Sequence, residues 1–214
     1  LYWWLLENKP PYVKGKFPTP HYTSDDGNPS YLSSNAGRGN FTDATESAGL
    51  AGKRFRRSYS GSLVDLDGDG DLDLMNVSDF SGLDLYLNDG KGHFTDITAT
   101  LGEDRFRFGM SHALGDFNGD GTQDLAVPLL VGNIFPVLMG VGDGTFGSHM
   151  NYLNAVGDSP VDVTVGYFNG DGNQDLVTAN WGPPWTTTPS NVSILLGSGS
   201  GSFANVGTYP VTGK

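Results

Sequence analysis

The stretch that decides the fold reads Asp65-Leu-Asp-Gly-Asp-Gly-Asp-Leu-Asp-Leu74. It recurs 51 residues later as Asp116-Phe-Asn-Gly-Asp-Gly-Thr-Gln-Asp-Leu125. After another 51 residues it returns as Tyr167-Phe-Asn-Gly-Asp-Gly-Asn-Gln-Asp-Leu176. A fixed period of this size indicates a protein built from stacked copies of one supersecondary unit.

A second motif, Gly-x-Gly-x-Phe, occurs once before these acidic stretches and once after each of them. Its four copies are Gly37/Gly39/Phe41, Gly90/Gly92/Phe94, Gly142/Gly144/Phe146 and Gly199/Gly201/Phe203. The segments between the motifs alternate apolar with small or polar residues, which is typical of short strands. Four short strands in about 50 residues is the size of a propeller blade.

The predicted fold is therefore all-β, with about four β-propeller blades that belong to a larger propeller or to an assembly. The predicted boundaries are an N-terminal arm or edge strand at 1–29, a partial first blade at 30–50, and blades at 51–101, 102–155 and 156–214. Open blades leave strand edges unpaired, so we expect copies of the chain to join through these edges.

The acidic stretches have the spacing of calcium-binding loops. Calcium takes about six to eight oxygen ligands, and carboxylates at alternate loop positions wrap around one ion, with a glycine at position 6 for the bend. The predicted ligands are Asp65, Asp67, Asp69, the Asp71 carbonyl and Asp73; Asp116, Asn118, Asp120, the Thr122 carbonyl and Asp124; and Asn169, Asp171, the Asn173 carbonyl and Asp175. Two Ca²⁺ sites are expected, and the third is expected to be weak or empty because Tyr167 replaces the first acid.

Two other structures can contain acidic loops of this kind. An EF-hand requires a glutamate at position 12 and flanking helices, whereas position 12 is Asn76, Val127 or Thr178. Solvated Asx turns would account for any single loop. They do not account for five aspartates within nine residues, because such crowding of like charge is costly without a cation.

Composition excludes several classes of partner. The chain has 24 acidic and 12 basic residues and a formal net charge of −12, which disfavours binding to nucleic acid. It has no cysteine, so thiolate metal sites are excluded. Because no apolar run approaches about 18 residues, we expect no membrane insertion.

The loops followed by Gly-x-Gly-x-Phe resemble the FG-GAP or VCBS-type repeat of integrin α-chain propellers, propeller lectins and many bacterial secreted proteins. The resemblance spans about residues 30–210, and residues 28–112 look most like the bacterial branch akin to cartilage acidic protein. It implies calcium at the loop positions and a propeller, usually of seven blades. It also implies a secreted or cell-surface location.

Candidate ligand-binding residues lie outside the loops. Arg54, Arg56, Arg105 and Arg107 form the basic clusters, which either contact an acidic ligand or pair with neighbouring aspartates. Trp181 and Trp185 either stack on sugars or a protein partner, or pack over a blade edge. Asn40, Asn76 and Asn191 begin N-glycosylation sequons.

The predicted function is non-catalytic: adhesion, recognition or structural assembly, with a protein or glycan ligand or copies of the chain itself as partners. The alternatives are a glycan-binding lectin propeller and a polysaccharide lyase or glycosidase on the same scaffold. No Gly-x-Ser-x-Gly turn is present, and the aspartates that would serve as paired acids are mostly assigned to calcium.

Overall fold

A computed structural model describes residue 25 and residues 27–78, 81–106, 110–129, 134–153, 159–181 and 190–211. Most of the predicted N-terminal arm lies outside these residues. Within them the chain forms four small antiparallel sheets, which confirms the all-β prediction. A closed propeller is not seen in the described part of the chain, so closure remains a prediction.

Each sheet contains strands that are consecutive in the chain and hydrogen-bonded in chain order. Sheet 1 consists of β1 (Ser33–Gly37) and β2 (Asn40–Asp43). Sheet 2 consists of β3 (Ser58–Val64), β4 (Asp73–Ser78), β5 (Gly82–Asn88) and β6 (Phe94–Asp96). Sheet 3 consists of β7 (Ala113–Gly115), β8 (Asp124–Ala126), β9 (Ile134–Gly140) and β10 (Phe146–Leu153). Sheet 4 consists of β11 (Pro160–Gly166), β12 (Asp175–Asn180), β13 (Asn191–Gly197) and β14 (Phe203–Pro210).

The two sequence motifs occupy the same places in every four-stranded sheet. Each acidic stretch joins the first strand to the second, and each Gly-x-Gly-x-Phe motif joins the third strand to the fourth. Short 3₁₀ segments at Ala51–Lys53 and Thr98–Phe106 are the helical elements among the described residues. Because the repeat is regular, the three acidic loops lie at the same end of their sheets.

The core lies between the sheets, since both faces of sheet 3 are covered. Leu125 on β8 pairs with Leu138 on β9, and both belong to the apolar cluster shared with sheet 2. Their neighbours Ala126 and Val137 also pair, and they belong to the cluster shared with sheet 4. Side chains alternate between the faces of a strand, so one ladder supplies two interfaces. Sheets 2, 3 and 4 therefore stack face to face in chain order.

The segments that flank sheet 1 cover part of the other face of sheet 2. Ala48 packs with Tyr86 and Phe94 in a smaller apolar cluster, to which Leu32 also contributes. No helix in the described part of the chain is long and apolar enough to cross a bilayer.

Candidate metal centre

Three carboxylates converge in the first acidic loop. One oxygen each from Asp65, Asp67 and Asp73 lies within 4.8 Å of the others. Among the described residues this is the only trio of histidine, aspartate or glutamate side chains that meets in this way. All ligands offered are hard oxygens, which suits calcium better than a soft or nitrogen-preferring metal.

The first loop is folded by hydrogen bonds from its own backbone. The carboxylate of Asp65 accepts from the N–H groups of Gly68, at 2.8 Å, and Gly70, at 3.1 Å. Asp69 accepts from the N–H of Asp71 at 2.8 Å. These bonds turn the chain around its acidic side chains, and each carboxylate oxygen retains a second lone pair for a cation.

The aspartate at position 9 has a structural role as well. Asp73 is 0% exposed, and its two oxygens accept from the N–H groups of Leu66 and Asn88, both at 2.8 Å. It therefore ties the start of the loop to the end of β5. The same pair of bonds recurs at Asp124 and Asp175, so any ligation at position 9 uses oxygens that already accept backbone hydrogen bonds.

Asp67 in the first loop has a shifted pKa. Desolvation raises the pKa of the Asp67 carboxyl above its ordinary value, and the negative charges of Asp73, Asp69 and Asp65 add to the rise. A hydrogen bond from the Asp69 N–H opposes it. The site therefore holds excess negative charge that a divalent cation would compensate.

The second loop has the same backbone path but less charge. Asp116 accepts from three N–H groups, those of Gly119, Asp120 and Gly121, at 2.7, 3.1 and 2.9 Å. Asn118 replaces the aspartate at position 3, and its Nδ2 donates to Asp120 at 2.7 Å. Hydrogen bonds from the Thr122 hydroxyl and N–H lower the pKa of Asp120, and the hydrogen bond from Asn118 lowers it further by a smaller amount.

The buried acid of the second loop is less easily ionised. Desolvation raises the pKa of Asp124, against the lowering effect of the N–H groups of Gly140 and Phe117. The second loop thus combines a more acidic carboxyl at position 5 with a less acidic one at position 9.

The third loop keeps the turn but lacks its first acid. Tyr167 stands at position 1 with 62% of its surface exposed. Asp171 still accepts from the N–H of Asn173 at 2.8 Å and from Asn169 Nδ2 at 2.8 Å, and these groups lower its pKa. Two carboxylates remain at the predicted ligand positions, Asp171 and Asp175, fewer than in either of the other loops.

Position 7 links each loop to the following hairpin. The side chain of Asn173 lies against Gly199, whose φ is +72°, and a Cβ at that glycine would collide with the amide. Gly142 lies over Thr122 in the same manner. The first glycine of the Gly-x-Gly-x-Phe motif is therefore needed both for its backbone conformation and for the close approach to the loop.

Two residues of the basic cluster at 53–57, Lys53 and Arg56, form ion pairs with the buried Asp84. Arg56 donates from one guanidinium nitrogen to both oxygens of Asp84, at 2.5 and 2.6 Å, and Asp84 is 0% exposed. Lys53 contacts Asp84 at 2.8 Å and Asp96 at 2.6 Å. Arg56 thus agrees with the interpretation in which the cluster pairs with neighbouring aspartates, and it is not placed to receive an external ligand.

The other candidate ligand-binding residues have different surroundings. The Arg54 guanidinium stacks over Tyr31, at 4.8 Å from the ring centroid, and no described residue forms a hydrogen bond with its buried Nε. Trp181 is 61% exposed beside the end of β12. Arg107 and Trp185 lie outside the described residues, as does the side chain of Arg105.

Two polar features were not anticipated from the sequence. Asp84 is a buried acid in a strand of apolar residues, and its position between Leu83 and Leu85 was the available signal that it needed a cationic partner. His112 is buried, with its Nε2 at 2.7 Å from the Ser62 hydroxyl of sheet 2, and its Nδ1 has no hydrogen-bond partner among the described residues. Isolated histidines carry no comparable sequence signal.

Comparisons with known proteins agree with part of this description. Residues 65–127 match the family model described as FG-GAP-like repeat, which confirms the resemblance for that stretch. No curated protein matches the chain significantly.

Similar solved structures include the biofilm matrix protein Bap1 of V. cholerae, at 18% identity and a TM-score of 0.45 over 75% of this chain. An Agrocybe aegerita lectin that recognises non-reducing terminal N-acetylglucosamine matches at 19% identity and a TM-score of 0.46 over 83% of this chain. The matches cover 22% of the matrix protein and 60% of the lectin.

Proposed function

We propose that this chain is a calcium-stabilised, extracellular propeller segment that serves adhesion, recognition or structural assembly and does not catalyse a reaction. The observation that carries the proposal is the convergence of Asp65, Asp67 and Asp73 within 4.8 Å in a loop whose backbone is already turned around them. The repetition of this loop in sheets 3 and 4 supports a structural role for the ion. Asp65, Asp67, Asp69, Asp73 and the Asp71 carbonyl would hold calcium in the first loop.

Calcium would act on folding rather than on chemistry. The ion neutralises repulsion among carboxylates and links strands β3 and β4, whose ends carry the ligands. Because the unfolded loop does not present these groups together, calcium binding adds to the free energy of unfolding. The protein would then be stable where calcium is abundant, as it is outside cells.

The arrangement of polar groups favours binding over catalysis. The carboxylates at loop positions 1 and 9 accept backbone hydrogen bonds, which disfavours their use as a pair of acid and base. In the described part of the chain, the contact between Ser62 and His112 lacks a third group, because Nδ1 of His112 has no hydrogen-bond partner there. A nucleophilic serine needs a base that is itself oriented by such a group.

Glycan binding is a second candidate, favoured by a small pocket between sheet 2 and the segments that flank sheet 1. The pocket has a volume of about 180 Å³, and Tyr31, Leu74, Tyr86 and Arg54 are among its lining residues. Aromatic faces and a guanidinium are suited to sugar rings that carry an acidic group. A glycan array with the Arg54→Ala variant as comparison tests this candidate, and the release of unsaturated sugars from a polyanionic polysaccharide would instead indicate a lyase.

Isothermal titration of calcium into the chelator-treated protein tests the main proposal. We expect saturable binding with two sites, accompanied by a rise in the melting temperature. Magnesium at the same concentration is the control, since it demands a small octahedral site and dehydrates reluctantly. Absence of calcium binding by a folded protein would refute the proposal.

A further inference from the structure

The interfaces between successive sheets are built from matching residues. Phe117, at position 2 of the acidic loop in sheet 3, packs edge to face against Phe203 of sheet 4, with ring centroids 5.4 Å apart and planes at 79°. Phe203 is the phenylalanine of a Gly-x-Gly-x-Phe motif. Between sheets 2 and 3 the corresponding residues, Leu66 and Phe146, belong to one apolar cluster. Each interface thus joins loop position 2 of one sheet to the motif phenylalanine of the next.

One half of such an interface is exposed at each end of the stack. Phe168, at position 2 of the loop in sheet 4, is 50% exposed, whereas Phe117 is 2% exposed. Phe41, the motif phenylalanine of sheet 1, is 63% exposed, whereas Phe203 is 9% exposed. The two aromatic side chains that would complete one more contact are therefore both accessible in the described structure.

The strands of sheet 4 show the same pattern. Val177 pairs with Ile194, just as Ala126 pairs with Val137 in sheet 3. Ala126 and Val137 are 0% exposed because sheet 4 covers them, whereas Val177 and Ile194 are only partly buried. We call the set Phe168, Val177, Val192, Ile194 and Leu196 the forward face of sheet 4.

The second glycine of the motif fits the forward face of the preceding sheet. A Cβ on Gly201 would lie 2.6 Å from Cε of Met139, and the Gly201 N–H donates to the Phe117 carbonyl at 2.9 Å. A Cβ on Gly144 would lie 2.6 Å from Cδ2 of Leu87. On sheet 4, Leu196 is the equivalent of Leu87 and Met139. The equivalent glycine of sheet 1 is Gly39, and no atom of the described residues lies within 4 Å of a Cβ placed there.

We propose that the forward face of sheet 4 binds the β1–β2 hairpin of a second copy of this chain, with Phe41 of the second copy packed against Phe168. Gly39 of the second copy lies over Leu196, as Gly201 lies over Met139 within one chain. The contact is face to face, and it differs from pairing through open strand edges, which leaves the sheet faces exposed.

A second copy is the occupant because one chain carries both halves of the contact on opposite ends of its stack of sheets. The interface continues the geometry already present between sheets 3 and 4. Because the two surfaces differ, the contact is heterologous, and repeated addition gives a filament or closes into a ring. The proposal does not depend on calcium binding and is tested separately from it.

The experiment is sedimentation velocity of the full chain over a range of concentrations in calcium-containing buffer. We expect the average mass to rise with concentration. Phe41→Asp and Ile194→Asp should each abolish this growth, since each places a charge in an apolar contact. Val141→Asp is the matched control, because Val141 is 58% exposed in the β9–β10 hairpin and belongs to neither surface.

Mixing the two variants gives the sharpest result. Phe41→Asp retains an intact forward face, and Ile194→Asp retains an intact β1–β2 hairpin. A one-to-one mixture should therefore form a heterodimer that grows no further. Phe168→Asp, at a half-exposed position of the forward face, replaces Ile194→Asp if circular dichroism shows that the latter is unfolded.

Four outcomes would overturn the proposal. The first is a wild-type chain that stays monomeric at high concentration, and the second is growth that survives both Phe41→Asp and Ile194→Asp. The third is growth that survives Phe41→Asp but not Ile194→Asp, and the fourth is a mixture that forms no dimer. The second outcome would point to pairing through strand edges, and the third to a symmetric contact between two forward faces.

Discussion

The backbone N–H of Leu66 donates a 2.8 Å hydrogen bond to the buried Oδ2 of Asp73. The other oxygen of Asp73 accepts from Asn88 in β5, so one side chain holds the loop, β4 and β5 together. These hydrogen bonds show that the aspartates of one acidic loop have two different roles. Asp73 supports the fold with or without a metal, whereas the acids at positions 1, 3 and 5 are free to respond to one.

Asp73→Asn should destabilise the protein in calcium and in chelator alike. The amide nitrogen of asparagine cannot accept a hydrogen bond, so one buried N–H loses its partner at a cost of about 1–3 kcal/mol. Urea denaturation under both conditions measures the loss. Asp71→Asn is the control, because it removes a charge from the same loop without disturbing those two hydrogen bonds. A loss confined to calcium-containing buffer would contradict the structural role.

The effect of Asp67→Ala on stability should depend on calcium. In chelator the substitution removes one of several crowded carboxylates, so the melting temperature should stay constant or rise. In calcium it removes a ligand, and it should cancel much of the stabilisation from that site. A site filled at 100 times its dissociation constant contributes about 2.7 kcal/mol. Calorimetry of the wild type and the variant in both buffers measures these effects. Equal destabilisation in calcium and in chelator would refute calcium binding by Asp67.

Sequence alone predicted the parts of this structure that depend on periodicity. The 51-residue spacing of Asp65 and Asp116 and the alternation in the strands predicted an all-β repeat, because side chains alternate along a strand with a period of two. The same spacing predicts oxygen ligands for calcium in the loops, and this stays a prediction. The four short strands expected in each unit are present in sheets 2, 3 and 4, whereas the exact strand boundaries come from the structure.

Contacts between distant segments could not be predicted in this way. The pairing of Arg56 with Asp84 joins a turn to β5, and the contact of His112 with Ser62 joins two sheets. Local sequence does not indicate which buried acid meets which base. The hydrogen bonds at Asp73 were missed because position 9 was interpreted as a metal ligand, and the pattern of residues is the same for either role.

Asp84→Ala should be among the most destabilising single substitutions in sheet 2. It leaves Arg56 without the carboxylate that its largely buried guanidinium contacts, whereas Lys53 retains Asp96. Removal of one partner of a buried ion pair costs about 3–5 kcal/mol. Urea denaturation measures the loss, and Asp96→Ala, at the more exposed partner of Lys53, is the control. Equal effects of the two substitutions would contradict the importance of burial.

His112 should make stability depend on pH below neutrality. Burial lowers the pKa of His112 below its ordinary value of 6.5. As pH falls below the unfolded value, the unfolded chain takes up a proton that the folded chain does not, so the free energy of unfolding decreases. The decrease ends at the folded pKa, and above pH 6.5 the contribution is complete.

The measurement is urea denaturation from about pH 5 to about pH 7.5, where histidine normally titrates. His112→Gln should flatten the profile relative to the wild type, because glutamine has no proton to gain in this range. His93→Gln, at an exposed histidine, is the control and should retain the slope. A slope that is identical in all three proteins would show that His112 does not cause it.

Tyr167→Asp should create a third calcium site. In the second loop, Asp116 accepts from Gly119, Asp120 and Gly121 and so turns the chain around the metal position. The third loop has glycines at the equivalent positions 170 and 172, together with Asp171, but Tyr167 offers no carboxylate to them. Tyr167 is 62% exposed, so its replacement removes little buried surface. The substitution would raise the number of carboxylates to three, as in the second loop.

Calcium titration calorimetry should then give one more binding site per chain than the wild type, and chelation should lower the melting temperature by a larger amount. Tyr167→Ser is the matched control, because it removes the ring without supplying a carboxylate. It should leave the number of calcium ions bound per chain unchanged. Asp171→Ala in the Tyr167→Asp background should abolish the new site, since it removes the ligand at position 5. If Tyr167→Asp binds no additional calcium while remaining folded, the first acid of the loop does not determine occupancy, and the reason given for a weak or empty third site is wrong.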